Sequence, residues 1–257
     1  MSQRYEEIKQ YLKNKSVALV GPATYMDGSN YGNEIDSHDI VVRINRGIES
    51  IEKYGDDIGR RTDILYSCLV PRAQQAGKLK EDELLNKYKI KYIIVPPMSG
   101  MDGICHNKNK IDEDLIGKKQ IQQLKSYQPL RVVDYKYCNP LAEKIKCKPN
   151  TGFLSICDLL DNFDLKKLSI YGISFYLDGF IPGQKEGVEK EKGLSQQEFA
   201  DLAHNSKRHV QKNMYQYAKQ NWKNNPIVNT DKTLTKILDM NEFSREEFKR
   251  KMNENIC

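Results

Sequence analysis

Short apolar runs alternate with longer segments in which apolar residues recur at helical spacing. The clearest run, residues 17–20, is broken by Gly21 and Pro22. A run that is too short for a helix and is bounded by turn residues predicts a buried strand of a parallel sheet. Further runs of this kind occupy residues 40–45, 63–70, 91–95, 131–134 and 168–172.

Helical patterns separate these predicted strands. Apolar spacing predicts helices over residues 3–13, 81–88, 112–126, 196–220 and 242–254. Strands that alternate with helices predict an α/β fold with a mostly parallel sheet and helices on both faces. With 257 residues and no internal repeat, the chain is expected to form one domain, residues 1–257.

Two stretches rich in polar residues and glycine predict loops. Residues 98–110 follow a predicted strand, and ligands of open α/β sheets bind at the carboxyl ends of strands. Residues 178–195 contain four glycines, a proline and many charges. This second stretch predicts a flexible lid or acceptor loop, with a plain linker as the alternative.

Composition and charge narrow the class of protein. Charged residues make up 30% of the chain and the mean hydropathy is −0.71. The net charge is 41 − 35 = +6, a modest excess that suits anionic substrates or peripheral contact with a negatively charged membrane. Basic residues are interleaved with acidic ones, which argues against a nucleic-acid partner. No transmembrane segment or signal peptide is predicted, so the expected location is the cytoplasm.

The sequence offers no pattern for a metal or a cofactor. Its six cysteines form no C-x-x-C pair and no zinc-type grouping with histidine, so reduced thiols and no metal are expected. The loop after residues 17–20 is neither G-x-G-x-x-G nor G-x-x-x-x-G-K-[ST]. Dinucleotide and P-loop chemistry are therefore unsupported, and no cofactor is expected.

Residues 16–63 carry a longer pattern, G-x(10)-G-x-x-I-D-x-x-D-x-V-x-R-x-N followed by D-x-G-x-[KR]-T. Its order and spacing resemble the long (L) sialylmotif of glycosyltransferase family 29, the eukaryotic-type sialyltransferases. In this family Asp36 and Asp39 are expected to be structural, pairing with Arg43. The matching positions are Gly21, Gly32, Ile35, Asp36, Asp39, Val42, Arg43, Asn45, Asp57, Gly59, Arg61 and Thr62.

Residues 149–173 resemble the short (S) sialylmotif, in which P-S-T-G precedes an apolar helix and a strand ending in Y-G. Asn150 replaces the usual Ser but remains a polar capping residue. The family's last (VS) motif is a His followed five residues later by a Glu. Residues 204–209 resemble it, with His204 in place and His209 where the Glu is expected.

The resemblance implies a variant GT-A fold, a Rossmann-like sheet of roughly seven strands. It also implies an inverting, metal-independent transfer of sialic acid, or a related 3-deoxy-ulosonic acid such as Kdo, from a CMP donor to a sugar hydroxyl. The absence of a D-x-D motif agrees with metal independence. Animal members carry a Golgi anchor, so the chain resembles an anchorless cytosolic bacterial or viral relative. Its implied partners are the CMP-sugar and a glycan acceptor, such as a lipid-linked surface glycan.

Seven residues are candidates for binding the donor. The family's Asn at position 45 contacts CMP, and the alternative is a turn-forming asparagine. Thr151 and Gly152 offer a hydroxyl and backbone N–H groups to the nucleotide, and the alternative is helix capping. Pro22 stands where the family often has Asn or Ser, so Thr24 or Ser29 is expected to take over that contact. The full set is Gly21, Thr24, Ser29, Asn45, Asn150, Thr151 and Gly152.

His204 is the candidate general base. Attack on the anomeric carbon requires the acceptor hydroxyl to lose its proton, and a neutral imidazole can accept it near pH 7. The alternative is a histidine of the helix surface or core. His209 lies well round the predicted helix and is a candidate auxiliary group at the leaving phosphate. Tyr176 is the nearest match to the family's third, aromatic motif.

Other functions stay open at this point. One is a transferase that uses a different nucleotide sugar on the same scaffold, and another is a non-catalytic nucleotide-binding protein. A small-molecule enzyme outside the glycosyltransferases is the third, because a fold alone does not define a function.

Overall fold

The computed structural model describes residues 3–69, 87–97, 130–181 and 193–254. Its main element is a sheet of seven strands in which all neighbouring strands run parallel. The predicted parallel α/β sheet is therefore confirmed. The strands are β1 (Ser16–Val20), β2 (Ile40–Ile44), β3 (Ile64–Tyr66), β4 (Tyr92–Val95), β5 (Leu130–Val132), β6 (Lys167–Tyr171) and β7 (Val228–Thr230).

Helices connect the strands and cover both faces of the sheet. In β1, Val17 and Leu19 pack into the apolar cluster that includes residues of α1, α5 and α7, as labelled below. Ala18 and Val20 point to the other face and pack with α2 and α3. The helices described are α1 (Gln3–Leu12), α2 (Gly32–Asp36), α3 (Ile51–Ile58), α4 (Tyr135–Ile145), α5 (Thr151–Asn162), α6 (Gln196–His204), α7 (Gln211–Asn221), α8 (Lys232–Leu238) and α9 (Arg245–Asn253).

The order of strands reverses beside β1. Across the sheet the order is β5-β4-β3-β2-β1-β6-β7, so β6 and β7 are added on the opposite side of β1 from β2. In open α/β sheets, ligands bind outside the carboxyl ends of the strands at such a reversal. The topology therefore indicates a ligand crevice at the carboxyl ends of β1 and β6.

Arg43 of β2 is buried and binds backbone carbonyls rather than a carboxylate. Its Nη2 donates to the carbonyls of Ile58 and Gly59, at 2.7 and 2.8 Å. Asp36 accepts hydrogen bonds from the backbone N–H groups of the two residues after Gly59, and Asp39 accepts from Ser16. The expected pairing of these carboxylates with Arg43 is wrong, because the arginine satisfies the last carbonyls of α3 instead.

A buried ion pair joins α5 to the edge strand β5. The guanidinium of Arg131 donates to both carboxylate oxygens of Asp158, at 2.6 and 2.9 Å, and both side chains are buried. Tyr66 of β3 donates to the same carboxylate at 2.6 Å, and Asn162 donates to it at 2.8 Å. This network fixes α5 against β3 and β5.

The prediction of one helix over residues 196–220 is wrong. Helix α6 ends at His204, and α7 begins only at Gln211. The buried side chain of Gln211 donates to the carbonyls of His209 and Ala203, at 2.7 and 3.4 Å, and so stabilises a turn between the helices. The predicted helix 112–126 and the predicted loop 98–110 lie outside the described residues, as do most of the helix 81–88 and of the loop 178–195.

Candidate functional site

Gly21 and Gly172 allow the carboxyl ends of β1 and β6 to approach closely. A Cβ on Gly21 would lie 2.3 Å from the carbonyl oxygen of Gly172, and a Cβ on Gly172 would lie 2.6 Å from that of Gly21. Gly172 also has a φ of 70°, which disfavours other residues. The structure therefore gives Gly21 a packing role at the crevice, and its contact with a ligand stays a prediction.

Asn45 lies directly after β2 and is half-buried. Its φ of 47° is in the left-handed region, which asparagine adopts more readily than most residues. Its Oδ1 accepts a hydrogen bond from the backbone N–H of Cys68 at 3.0 Å, which ties the end of β2 to the end of β3. Within the described ranges its Nδ2 has no hydrogen-bond partner, so Nδ2 is the atom with which Asn45 would bind a ligand.

The N-terminus of α5 lies at the same edge of the sheet. Asn150 caps this helix, because its Oδ1 accepts a hydrogen bond from the backbone N–H of Phe153 at 2.8 Å. Thr151 follows the cap, and a Cβ on Gly152 would lie 3.2 Å from Cδ1 of Ile44 at the end of β2. The partial positive charge of a helix N-terminus suits a phosphate group.

The loop after β1 is bound to the loop after β6. Thr24 packs against Gly179, where an added Cβ would lie 2.7 Å from the threonine Oγ1. The backbone N–H of Tyr25 donates to Asp178 at 3.1 Å, and the Tyr25 hydroxyl donates to buried Asp231 at 2.9 Å. Thr24 therefore lies beside the crevice but packs against protein.

Burial raises the pKa of Asp178 from 3.8 to about 6. Its Oδ1 is buried and accepts no hydrogen bond from the residues the structure describes. Because the folded-state pKa is raised, this carboxyl favours the folded state at low pH and loses that contribution as the pH rises through about 6.

Asp178→Asn is therefore expected to stabilise the protein at pH 7.5 but not at pH 4.5. The amide keeps an acceptor for Tyr25 and places an uncharged group at Oδ1, so the expected gain is roughly 1–3 kcal/mol. Urea unfolding of both proteins at the two pH values measures it. A difference in unfolding free energy that does not change with pH would contradict the assignment.

His204 is the last residue of α6 and is half-buried. Its Nδ1 lies 3.5 Å from the carbonyl oxygen of Phe175, the outer limit of a hydrogen bond, and its ring stacks on Phe243 with centroids 5.5 Å apart. Burial lowers the pKa of His204 below its ordinary value. Since a carbonyl can only accept, this contact places the proton on Nδ1 and leaves Nε2 as the basic atom.

His209 lies in the turn between α6 and α7, away from the contacts of His204. Its Nδ1 donates to the carbonyl of Lys148 at 2.9 Å, and burial lowers the pKa of His209 to about 4. Gln211 accepts a hydrogen bond from Asn150 at 3.4 Å and donates to the His209 carbonyl. The structure thus brings His209 next to the N-terminus of α5, and an auxiliary role at a phosphate stays a prediction.

Ser29 is not brought together with the other candidates. Its hydroxyl donates to the carbonyl of Asp57, in the last turn of α3, at 3.2 Å. Helix α3 runs from the carboxyl end of β2 back towards the start of β3. The Ser29 side chain therefore binds the far end of α3.

Strained backbone marks the carboxyl edge, and sequence reasoning gave no sign of it. Asn45, Leu69, Phe175 and Tyr176 follow strands β2, β3 and β6, and each has a φ between 47° and 56°. Such conformations are unfavourable for leucine and aromatic residues and tend to occur at functional sites. Burial also raises the pKa of Tyr176 to about 12, so its phenol is neutral and can donate a hydrogen bond.

A cavity of about 340 Å³ lies on the far side of the His204 helix, between α7 and the segment before α9. Its lining combines two lysines, two amides, a carboxylate and two aromatic rings. The residues are Lys212, Tyr215, Gln216, Lys219, Asn241, Glu242 and Phe243. Phe243, which carries the His204 ring, is thus also part of the cavity wall.

Two further properties concern the described ranges only. In residues 3–69, 87–97, 130–181 and 193–254, no three His, Cys, Asp or Glu side chains come together as a metal site. No helix within those ranges has the length and apolar character needed to cross a membrane.

The reversal in strand order, with Asn45, the N-terminus of α5 and the His204 helix beside it, defines an α/β protein that binds its ligand at the carboxyl edge of a parallel sheet. The family model described as glycosyltransferase family 29 (sialyltransferase) matches residues 3–128. The chain belongs to this family, and the resemblance inferred from the motifs is confirmed. The matched residues include the whole L motif and end before the S motif.

Two solved structures of mammalian sialyltransferases are similar to the chain. One, in complex with Gal-beta-1-3GalNAc-ortho-nitrophenol, is 16% identical, has a TM-score of 0.42 and covers 76% of this chain and 66% of that chain. The other is 16% identical, has a TM-score of 0.41 and covers 74% of this chain and 64% of that chain. The chain thus spans slightly less than two thirds of each structure. No curated protein sequence matches the chain.

Proposed function

We propose that the chain is an inverting glycosyltransferase that moves sialic acid, or a related 3-deoxy-ulosonic acid such as Kdo, from a CMP donor to a sugar hydroxyl of a glycan. Family membership supports glycosyl transfer. The observation that carries the proposal is the convergence of Asn45, the N-terminus of α5 and the His204 helix at the reversal of the sheet. In this proposal residues 1–257 form one transferase domain that needs neither metal nor cofactor.

The donor would lie across the ends of β1, β2 and β6. The Nδ2 of Asn45 would donate to the nucleotide, since its Oδ1 is already bound to Cys68. The backbone N–H groups at Thr151 and Gly152 would bind the single phosphate of CMP at the N-terminus of α5. A helix terminus and neutral donors can stabilise the charge of a departing phosphate without a metal ion.

The chemical step would be a direct displacement at the anomeric carbon. The acceptor oxygen forms a bond to that carbon while the bond to the phosphate oxygen breaks, and its electron pair leaves with CMP. The acceptor proton passes to Nε2 of His204. Attack opposite to the leaving group inverts the anomeric configuration, and the lowered pKa keeps the imidazole neutral and ready to accept the proton near pH 7.

Thermal unfolding with CMP, UDP, GDP or ADP, each with and without EDTA, tests the proposal. CMP alone is expected to raise the midpoint, because a ligand that binds only the folded state stabilises it by about 2.7 kcal/mol at a hundred times its dissociation constant. The rise should not depend on EDTA. Preference for UDP or GDP would identify a different donor, and no response to any nucleotide would favour a protein without donor binding.

Asn45→Asp is the matched variant for this measurement. Aspartate tolerates the left-handed backbone and keeps an acceptor for Cys68, but it replaces the Nδ2 donor by a carboxylate oxygen. We expect a melting temperature close to that of the unmodified protein without ligand, and loss of most of the CMP-dependent rise. An undiminished CMP response would remove Asn45 from the donor site.

A further inference from the structure

We propose that Phe243 and Arg245, in the segment that leads into α9, are positioning residues that fix the orientation and the surroundings of the His204 imidazole. The family's Glu would follow His204 by five residues, but that position holds His209, which is bound to Lys148 instead. The C-terminal segment supplies the missing support in this chain. The term base rests on the proposed function, whereas the positioning of the ring does not.

Phe243 holds one face of the imidazole. The two rings are nearly parallel, with centroids 5.5 Å apart and an interplanar angle of 25°. Phe243 is itself fixed, because Tyr215 of α7 stacks on it at 4.8 Å and Phe175 meets it edge-on at 6.4 Å. A ring held from three directions gives His204 a fixed plane, and it also keeps water from one face of the imidazole.

Arg245 fastens α9 to the elements on both sides of His204. Its Nη1 donates to Asp201 at 2.5 Å, one turn before His204 on α6. Its Nη2 donates to the carbonyl of Tyr176 at 3.3 Å, next to the Phe175 carbonyl that faces Nδ1 of His204. One guanidinium therefore sets the distance between the helix that carries the imidazole and the loop that selects its tautomer.

The charges of this ion pair act on His204 in opposite directions. The charged groups around the imidazole are Asp201 on its own helix and Arg245 on α9, while α7 contributes the neutral Tyr215 behind Phe243. Burial lowers the pKa of His204 most, the Arg245 charge lowers it further, and the Asp201 charge raises it. A pair that served only to hold the fold would give equivalent effects from either side when it is broken.

The NMR titration of the His204 ring protons tests the proposal without any substrate. The chain has four histidines, so the spectrum of His204→Gln identifies the resonance. Arg245→Gln is expected to raise the titration midpoint and Asp201→Asn to lower it, although both break the same ion pair. Arg245→Lys should restore the midpoint towards that of the unmodified protein. Arg250→Gln, which removes an equal charge from the exposed face of α9, should leave it unchanged.

Phe243→Leu provides an independent test, with Phe243→Tyr as its conservative partner. Loss of the ring exposes the imidazole, so the midpoint should rise, and transfer should lose roughly tenfold to a hundredfold in kcat with an unchanged KM for the donor. Phe243→Tyr should behave like the unmodified protein.

Midpoint shifts of the same sign in Arg245→Gln and Asp201→Asn, or no shift in either, would overturn the positioning role. That result would leave the proposed function standing if CMP still binds and transfer still occurs. The opposite shifts without any transfer would uphold the positioning and reject the proposed function.

Discussion

His204→Gln is expected to lose transfer activity by roughly 10²–10⁴-fold in kcat, the contribution typical of a positioned general base. Glutamine is uncharged and fills much of the same space, but its amide cannot accept the proton of the acceptor hydroxyl. The midpoint rise with CMP should be unchanged, because His204 contacts the loop after β6 and Phe243 rather than the helix N-terminus. Single-turnover transfer, measured beside the thermal shift, separates the two effects.

The pH dependence of this activity follows from the direction of the pKa shift. The neutral imidazole is the active form, and its pKa lies below the ordinary value of 6.5. Transfer should therefore be independent of pH from about pH 7 upwards on the acid side of the profile, and should fall as the pH drops through the lowered pKa. An acid limb above pH 6.5 would contradict the environment described for His204.

His209→Gln is the matched control for the base. His209 donates from Nδ1 to the carbonyl of Lys148, and a glutamine amide can keep such a bond. Its pKa of about 4 means that it carries no charge near pH 7, so little change in transfer is expected from loss of the ring. An equal loss of kcat in both variants would transfer the auxiliary role, and part of the chemistry, to His209.

The sequence predicted best where local chemistry and packing agree. The apolar run at residues 17–20 is bounded by Gly21, and it forms the central strand β1. Asn150 precedes an apolar helical pattern, and it is the N-cap of α5. In both places a turn residue and the hydrophobic pattern indicate the same boundary, so no distant contact is needed to set it.

Elements that depend on distant contacts were not predicted. β7 is short and half-polar, and it is defined by parallel pairing with β6 rather than by alternation. The break after His204 contains neither glycine nor proline, and it depends on hydrogen bonds of the buried Gln211. The stack of Phe243 on His204 joins residues that are 39 positions apart in the sequence (243 − 204 = 39). Spacing within one segment carries no information about such contacts.

The site divides in the same way. Asn45, Asn150 to Gly152 and His204 follow motifs, and they lie at the carboxyl edge of the sheet or beside the loop after β6. Ser29 was selected only because it is a polar residue of a glycine-containing loop, and its hydroxyl binds α3. A polar residue in a loop lacks the positional information that the end of a buried strand provides.

Asp158→Ala is expected to cost about 3–5 kcal/mol of unfolding free energy, the range typical of breaking a buried ion pair. The loss would leave the guanidinium of Arg131 buried between Tyr5 and Phe163 without a counter-charge. It would also leave the hydroxyl of Tyr66 without its acceptor. Urea unfolding at pH 7 measures the change, and a loss of this size can exceed half the stability of a small domain.

The double variant Asp158→Leu with Arg131→Met separates the cost of an unpaired charge from the value of the pair. Replacing both partners with apolar side chains of similar size is often neutral or stabilising, so the double variant should recover most of the stability lost in Asp158→Ala. Tyr66→Phe in the same background removes the remaining unpaired hydroxyl. A double variant as unstable as Asp158→Ala would mean that the ion pair itself holds α5 in place. CMP binding would then be expected to fall with it, because the N-terminus of α5 would no longer be fixed at the ends of β1 and β6.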